Sequence, residues 1–259
     1  MKLKEALEIG SREVICLVGG GGKTTLMFVL AKELATSGAC VITTTTTKIL
    51  EPSLAETEKV ILNNDEDELM KQLPQEINDY RHITIARKKL PSGKLEGITP
   101  RMVVRLAEFE RVSYIIIEAD GAARHSLKAP NGTEPVVPPN TSLVIAVAGI
   151  DALSGRLEEE TVFHADIAAK LLQVPLGTIV SAKLMADLIT HPRGILKGSP
   201  DTARFVPFIN KVDLNGGLAK ARQVAHEILA GTNSGIKAVL LGQAQRPGPV
   251  VEIVHRRKL

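Results

Sequence analysis

The chain of 259 residues has no tryptophan, two tyrosines and five phenylalanines. With aromatics at 3%, it offers few flat surfaces on which unpaired bases could stack, which argues against a single-stranded nucleic-acid binder. A dominant sign of charge is also missing. The 32 Lys and Arg residues are nearly balanced by 29 Asp and Glu, leaving a net +3 spread along the chain. That balance suits small anionic ligands and is too scattered for DNA or RNA. Cysteine is scarce: Cys16 and Cys40 each lie in an apolar run, and neither a Cys-x-x-Cys pair nor a Cys/His cluster of zinc spacing occurs. Both are expected as small core residues in a reducing compartment. No apolar run approaches the roughly 20 residues of a membrane span. The opening Met1-Lys2-Leu3-Lys4-Glu5-Ala6-Leu7-Glu8 is too charged for a signal-peptide core. A cytoplasmic location is therefore expected, with the basic tail His255-Arg256-Arg257-Lys258 as a solvated terminus.

What is present is an alternation of strand-like apolar runs with helix-like periodic segments, the pattern of an α/β fold with a mainly parallel sheet and helices on both faces. Val14–Val18 and Cys40–Thr44 read as the first two strands. Later strands are expected at 59–62, 82–86, 114–118, 143–148, 177–180, 205–209, 238–241 and 250–254. Helices are expected at 23–37, 66–72, 100–110, 162–172, 182–189 and 218–230. In the first, Leu26, Met27, Leu30 and Leu34 mark the buried face and Gly38 sits at the C-cap. No repeat or linker divides the chain. A single domain over residues 1–259 is expected, with elaborated loops at about 121–140 and 190–203.

Between the first strand and the first helix stands Gly19-Gly20-Gly21-Gly22-Lys23-Thr24-Thr25. Glycines let backbone N–H groups approach an anion closely, and the helix that follows points its positive end at the same place. Lys23 can reach the β- and γ-phosphates of a nucleoside triphosphate, and the Thr24 hydroxyl can ligate Mg²⁺. The spacing is the short form Gly-x-x-Gly-Lys-Thr-Thr. The longer form would need glycine where Leu17 stands, and the form of the dimerising NTPases would need lysine where Val18 stands. A homodimer is left open.

Two further strand ends carry chemistry. Ile115-Ile116-Ile117-Glu118-Ala119-Asp120-Gly121 ends in two carboxylates and a glycine, where phosphate-loop enzymes hold Mg²⁺; Glu118 and Asp120 are rivals for that role. Phe205–Asp213 ends in Asn210-Lys211-Val212-Asp213, the tetrad with which GTPases read guanine. The Asp213 carboxylate would accept from guanine N1 and N2 and the Lys211 stem would pack on the base. Adenine lacks those donors and would leave a buried Asp unpaired, so GTP is favoured over ATP. Ser181-Ala182-Lys183 imitates another guanine-contacting motif but comes in the wrong order, and is read as coincidence. Arg124 and His125 lie just past the acidic strand end, where Arg124 can stabilise transition-state charge; Lys128 shares their loop. Thr43–Thr47 reads either as a prolonged strand or as a hydroxyl-rich phosphate loop. His191-Pro192-Arg193-Gly194 with Lys197 could hold a second anion.

Together these stretches resemble the YqeC family. They are 18–25, 43–49, 117–138 (Glu-Ala-Asp-Gly-Ala-Ala-Arg, Leu-Lys-Ala-Pro, Glu-Pro-Val-Val-Pro), 148–151, 191–198 and 210–213. The resemblance implies an accessory protein of selenium-dependent molybdenum hydroxylases. Its implied role is nucleotide-dependent maturation or insertion of a selenium-containing molybdenum cofactor, with a pterin-type cofactor and a hydroxylase client as partners. The leading expectation is a Mg²⁺-dependent NTPase using GTP or ATP. Two alternatives stay open: an ATP-dependent ligase or phosphoryl transferase acting on a small acceptor, and a nucleotide-switched carrier with little hydrolysis.

Overall fold

Strands made of consecutive β-branched residues, such as Ile115-Ile116-Ile117, carry apolar side chains on both faces and need cover on both. The computed structural model, which describes residues 1–231 and 235–256, meets that need with one nine-stranded sheet. Its strands are β1 (Glu13–Gly19), β2 (Val41–Thr45), β3 (Lys59–Leu62), β4 (His82–Ala86), β5 (Tyr114–Glu118), β6 (Leu143–Gly149), β7 (Arg204–Asn210), β8 (Ala238–Gly242) and β9 (Val250–His255). They lie in the order β9-β8-β7-β6-β1-β5-β2-β4-β3, and every pairing is parallel except β8 with β9.

Along β1 the side chains alternate. Val14, Cys16 and Val18 pack into one core layer, and Ile15 and Leu17 into the other. The helix Lys23–Thr36 and the N-terminal turn Leu3–Ala6 cover the second layer, with Leu26, Met27, Leu30 and Leu34 buried as the spacing predicts. Helices Glu66–Asp79, Pro100–Ala107, Ala165–Leu172, Ala182–Thr190 and Gly217–Ala230 cover the first. The P-loop NTPase-like α/β arrangement expected from the sequence is therefore the one observed. Cys16 and Cys40 are both buried free thiols. Burial, and then the nearby Asp120 carboxylate, push the Cys16 thiol well above its usual range.

Several local expectations need correction. The helix expected to stop at Gln72 runs on to Asp79 through Pro74, because Leu69, Leu73 and Ile77 continue one buried stripe past the proline. The helix at 100–110 ends at Ala107. That at 162–172 begins at Ala165, because Val162–Phe163 instead pairs in parallel with Leu127–Lys128. Residues 177–180 stay outside the sheet. They bond to the 154–157 segment through one antiparallel bridge, Arg156 to Ile179. Ser181 caps the helix Ala182–Thr190 by accepting the Leu184 N–H, and Lys183 pairs with Asp187, as suits a coincidental motif. After β2 the chain enters an antiparallel ribbon of Lys48–Leu50, Lys94–Glu96 and Lys88–Lys89, anchored by buried Ile49 and Leu95. No helix among the described residues is long and apolar enough to cross a membrane. Arg257 and Lys258 of the basic tail lie outside the described residues.

The threonine run is a strand and its continuation. The Thr44, Thr45 and Thr46 hydroxyls donate to the carbonyls of Ile85, Glu118 and Val136. Thr43 Oγ1 bonds Thr84 Oγ1 at 2.7 Å and His82 Nε2 at 3.0 Å. Thr47 Oγ1 lies 3.3 Å from Thr45 Oγ1, and none of the five threonines lines the cleft described below, so the run serves as a strand and its continuation.

His82 is buried in this cluster, and burial pushes its pKa down to about 4. The unfolded chain, with an ordinary histidine pKa of about 6.5, takes up the proton first as pH falls. Its contribution to stability is therefore complete above about pH 6.5 and is lost between there and pH 4, an effect of roughly 3 kcal/mol. Urea denaturation across this range should show a steeper loss of stability for the parent than for His82→Asn; equal slopes would contradict the assignment.

Candidate functional site

All the parallel strands end on one edge of the sheet, and there the loops after β7, β1, β5 and β2 come together in that spatial order. They enclose a cleft of roughly 360 Å³ lined by the glycine loop, Lys23, Thr24, Thr25, Glu118, the Gly121–His125 turn, Lys211 and the ribbon residues Lys48–Leu50 and Lys94. Five lysine or arginine side chains (Lys23, Lys48, Lys94, Arg124 and Lys211) line it with Glu118 as the one carboxylate. That balance favours an anion of several charges.

The glycine loop is held closely. Gly19, Gly21 and Gly22 have φ of +95°, +76° and +119°. A Cβ at Gly19 would strike the Val147 carbonyl, and one at Gly21 the backbone of Gly149. The loop amides divide into two sets. Gly19 N–H donates to Asp120 Oδ2 at 3.0 Å, Gly20 N–H to the Val147 carbonyl at 2.9 Å and Gly21 N–H to the His125 carbonyl at 2.9 Å. The first-turn amides after them have no side-chain cap, since Gly22 stands at the N-cap of Lys23–Thr36 and no acidic residue follows in that turn. The anion-facing donors are thus at residues 22–25, a narrower cradle than the whole glycine run.

Lys23 and the acidic strand end are joined. In register, Leu17 of β1 lies opposite Glu118 of β5. Lys23 Nζ donates to the Gly19 carbonyl at 2.6 Å and lies 3.1 Å from Asp120 Oδ1 and 3.8 Å from Glu118 Oε1. Burial works to lower the Lys23 pKa, but the carboxylates of Asp120 and Glu118 outweigh it and the net shift is upward. Thr24 Oγ1 donates to Glu118 Oε2 at 2.6 Å. Burial raises the Glu118 pKa, opposed by Lys23 and by the Thr24 hydrogen bond.

The two carboxylates occupy different places. Glu118 faces the cleft with Thr24, whereas Asp120 sits behind the loop, 1% exposed, with Oδ1 on the Lys23 ammonium and Oδ2 on the Gly19 N–H and Lys128. The Thr24 and Glu118 oxygens are hard donors on one side of this amide cradle. This donor set fits Mg²⁺ held largely by phosphates and water. Among the described residues, no group of three or more His, Cys, Asp or Glu side chains could hold a metal by itself.

Lys128 is the residue that sequence reasoning underrated. It is fully buried, 3.2 Å from Asp120 Oδ2 and 3.4 Å from Glu134 Oε2, donates to the Gly121 carbonyl, and lies 5.8 Å from the centre of the Phe163 ring. Glu134 also accepts the Gly121 N–H at 2.9 Å. The only hint in the sequence is a lone cation in the otherwise apolar Leu127-Lys128-Ala129-Pro130.

At the other end of the cleft, Asn210 is buried. Its amide donates to the Gly21 carbonyl at 2.8 Å, and its oxygen accepts the Ala244 N–H at 2.9 Å. Lys211, at φ +67°, donates to Ser126 Oγ at 2.6 Å and Asp151 Oδ2 at 2.7 Å. Asp213 is not buried as expected: its side chain is 33% exposed and pairs with Arg246 at 3.4 Å. The Gln243–Arg246 segment after β8, to which the sequence reading assigned nothing, thus supports the tetrad. Arg124 is exposed on the cleft rim at φ +69°. The basic 191–197 loop does not line the cleft. Lys197 instead donates to the Asn131 carbonyl at 2.7 Å, with the Glu134 and Gly132 carbonyls at 3.3 and 3.4 Å, so its ammonium is taken up by the 131–134 loop.

The family model described as YqeC protein matches residues 15–166. An uncharacterized protein YqeC of Escherichia coli (strain K12) is 36% identical over 124 residues, which are 48% of this chain and 48% of that protein; the match spans about half the length of that relative. Among solved structures, the hydrogenase maturation factor HypB from Archaeoglobus fulgidus aligns over 93% of this chain and 85% of its own. Its identity is 12% and its TM-score 0.41, too low to carry a conclusion about activity.

Removing the Lys128 cation leaves Glu134 without its ion pair and the buried Asp120 with Lys23 and the Gly19 N–H alone. Lys128→Met should cost about 3–5 kcal/mol in urea denaturation, the range for breaking a buried pair, and Glu134→Gln, at the wetter end, clearly less. A cost below about 1 kcal/mol for Lys128→Met would show that the ion cluster is not what holds these loops.

Proposed function

This chain belongs to the YqeC protein family, and from that premise we propose that it is a Mg²⁺-dependent nucleoside triphosphate hydrolase that prefers GTP to ATP. One observation carries this reading: an uncapped helix start, Lys23, Thr24 and Glu118 converge on one cation-rich cleft. The amides at 22–25 bind the phosphates. Lys23 exchanges its contact with Asp120 for a phosphate oxygen, at little electrostatic cost to Asp120 because Lys128 remains 3.2 Å away. Thr24 and Glu118 hold the metal, which when bound neutralises charge on the phosphates. Asp120 fixes the loop from behind. Arg124, exposed on the rim, turns its guanidinium toward developing charge.

Asn210, Lys211 and Asp213 read the base. Arg246 must release Asp213, but an exposed pair of this kind is worth under about 1 kcal/mol, less than two hydrogen bonds from guanine to a carboxylate. Because Asp213 is not buried, the preference for GTP should be moderate, on the order of tenfold. Service to a selenium-containing molybdenum cofactor and its hydroxylase client is supported by family resemblance, as is any pterin-type ligand.

Isothermal titration with Mg²⁺ present tests this directly. Lys23→Ala should weaken GTP and ATP binding at least a hundredfold, and unchanged affinity would end the nucleotide reading. Asp213→Asn should bring GTP and ATP affinities within about twofold of each other; a retained preference would remove the guanine assignment alone. Hydrolysis measured on Glu118→Gln should fall at least a hundredfold with binding largely kept.

A further inference from the structure

The cleft is longer than the phosphate cradle. Lys211 follows β7, two strands from β1 on one side. Lys48 follows β2, two strands from β1 on the other. With the base on the β7 side, the triphosphate runs toward Glu118, and the ribbon of Lys48–Leu50 and Lys94–Glu96 lies beyond it. The two lysines of that far end, and Arg124 on the intervening turn that also borders Lys211 and Asp151, differ from the other cations in one respect. Lys23 is held by Gly19, Asp120 and Glu118, and Lys211 by Ser126 and Asp151. On the same ribbon, Arg87 and Lys88 pair with Glu96, and Lys89 pairs with Glu51. Lys48, Lys94 and Arg124, which all line the cleft, have no ion pair or hydrogen-bonded side-chain partner among the described residues.

The ribbon cations outside the cleft lining are thus paired, whereas Lys48, although opposite Glu96 in register, and Lys94 are not. The backbone beneath them is firm. Ile49 and Leu95 are 3% and 0% exposed, and Gly97 is pressed against the Thr45 backbone with no room for a Cβ. Exposed Leu50 lies opposite Lys94 in register, and Lys48 opposite Glu96, whose carboxylate is taken by Arg87 and Lys88. Arg124 is carried on two consecutive left-handed residues, Ala123 at φ +45° and Arg124 at φ +69°, a backbone costing free energy that the Gly121–His125 turn must hold in place.

We propose that Lys48, Lys94 and Arg124 form a second anion subsite, which holds a carboxylate- or phosphate-bearing small molecule beside the terminal phosphate of the nucleotide. The position of the subsite at the terminal-phosphate end rests on the nucleotide reading above; its three unpaired cations do not. The ligand carries at least two negative charges, to match three cations, and a small apolar portion that meets Leu50. The chain is then a two-substrate protein in which occupancy of the far subsite governs turnover at the near one.

The test uses full-length protein saturated with Mg²⁺ and a non-hydrolysable GTP analogue, so that the phosphate cradle is filled, and orthophosphate as the probe, followed by ³¹P line broadening. The parent should bind orthophosphate saturably, and Lys48→Gln/Lys94→Gln should weaken it at least tenfold while changing analogue affinity less than twofold. Absence of binding to the parent, or equal binding to the double variant, overturns the subsite. An equal loss of analogue affinity also overturns it, because the lysines then belong to the nucleotide's own phosphates. If the parent fails to bind the analogue, the nucleotide reading fails, and the orthophosphate titration of the free protein still decides whether these lysines hold an anion. Sodium succinate in place of orthophosphate separates the two ligand chemistries: competition by succinate assigns a carboxylate, and its absence assigns a phosphate.

Discussion

The Asp120 carboxylate accepts the Gly19 N–H at 3.0 Å and lies between the ammonium groups of Lys23 and Lys128, at 3.1 and 3.2 Å. A carboxylate this deeply buried would be strongly penalised alone; here two cations and a backbone donor surround it. It ties the glycine loop after β1 to the turn after β5, and through Lys128 and Glu134 to the 121–134 loop. The second cation explains how the arrangement can serve a ligand. On the proposed reading, Lys23 can turn to a phosphate while Asp120 keeps Lys128 as a partner.

Sheet order does the rest. Because the strands of this edge run parallel, their loops gather into one cleft whose two ends differ. Toward β7, Lys211 and the Asn210 amide are already bonded within the protein, which preforms that end. Toward β2, Lys48 and Lys94 line the cleft without ion pairs. A preformed end suits a fixed and recurrent ligand such as a nucleotide, and an open, charged end suits one whose binding is conditional on it.

What could be read from the sequence was what depends on neighbours along the chain. Gly19–Thr25 announces a strand, turn and helix within a dozen residues, and Ile115–Gly121 a buried strand with acids at its tip. Both stand where expected, side by side in the sheet. What could not be read depends on distant partners. Nothing near Lys128 in sequence predicts that it is fully buried, since its burial needs Asp120, Glu134 and the Val162–Phe163 strand at once. Asp213 looks like a buried reader until Arg246, 33 positions on, is seen beside it. Lys197 resembles an anion ligand because its carbonyl partners lie more than 60 positions away. Pro74 misleads for the opposite reason: a local rule against proline is outweighed by the stripe of Leu69, Leu73 and Ile77 on the sheet.

The central claim is that the cleft holds a triphosphate on the 22–25 amides by drawing Lys23 away from Asp120. A crystal structure with Mg²⁺ and a non-hydrolysable GTP analogue tests it most directly. The account predicts phosphate oxygens at those amides and Lys23 Nζ moved from Asp120 and the Gly19 carbonyl onto a phosphate, with the Asp120–Lys128 pair and the Gly19 N–H bond intact. A nucleotide bound elsewhere, or one bound here with Lys23 still on Asp120, would contradict it.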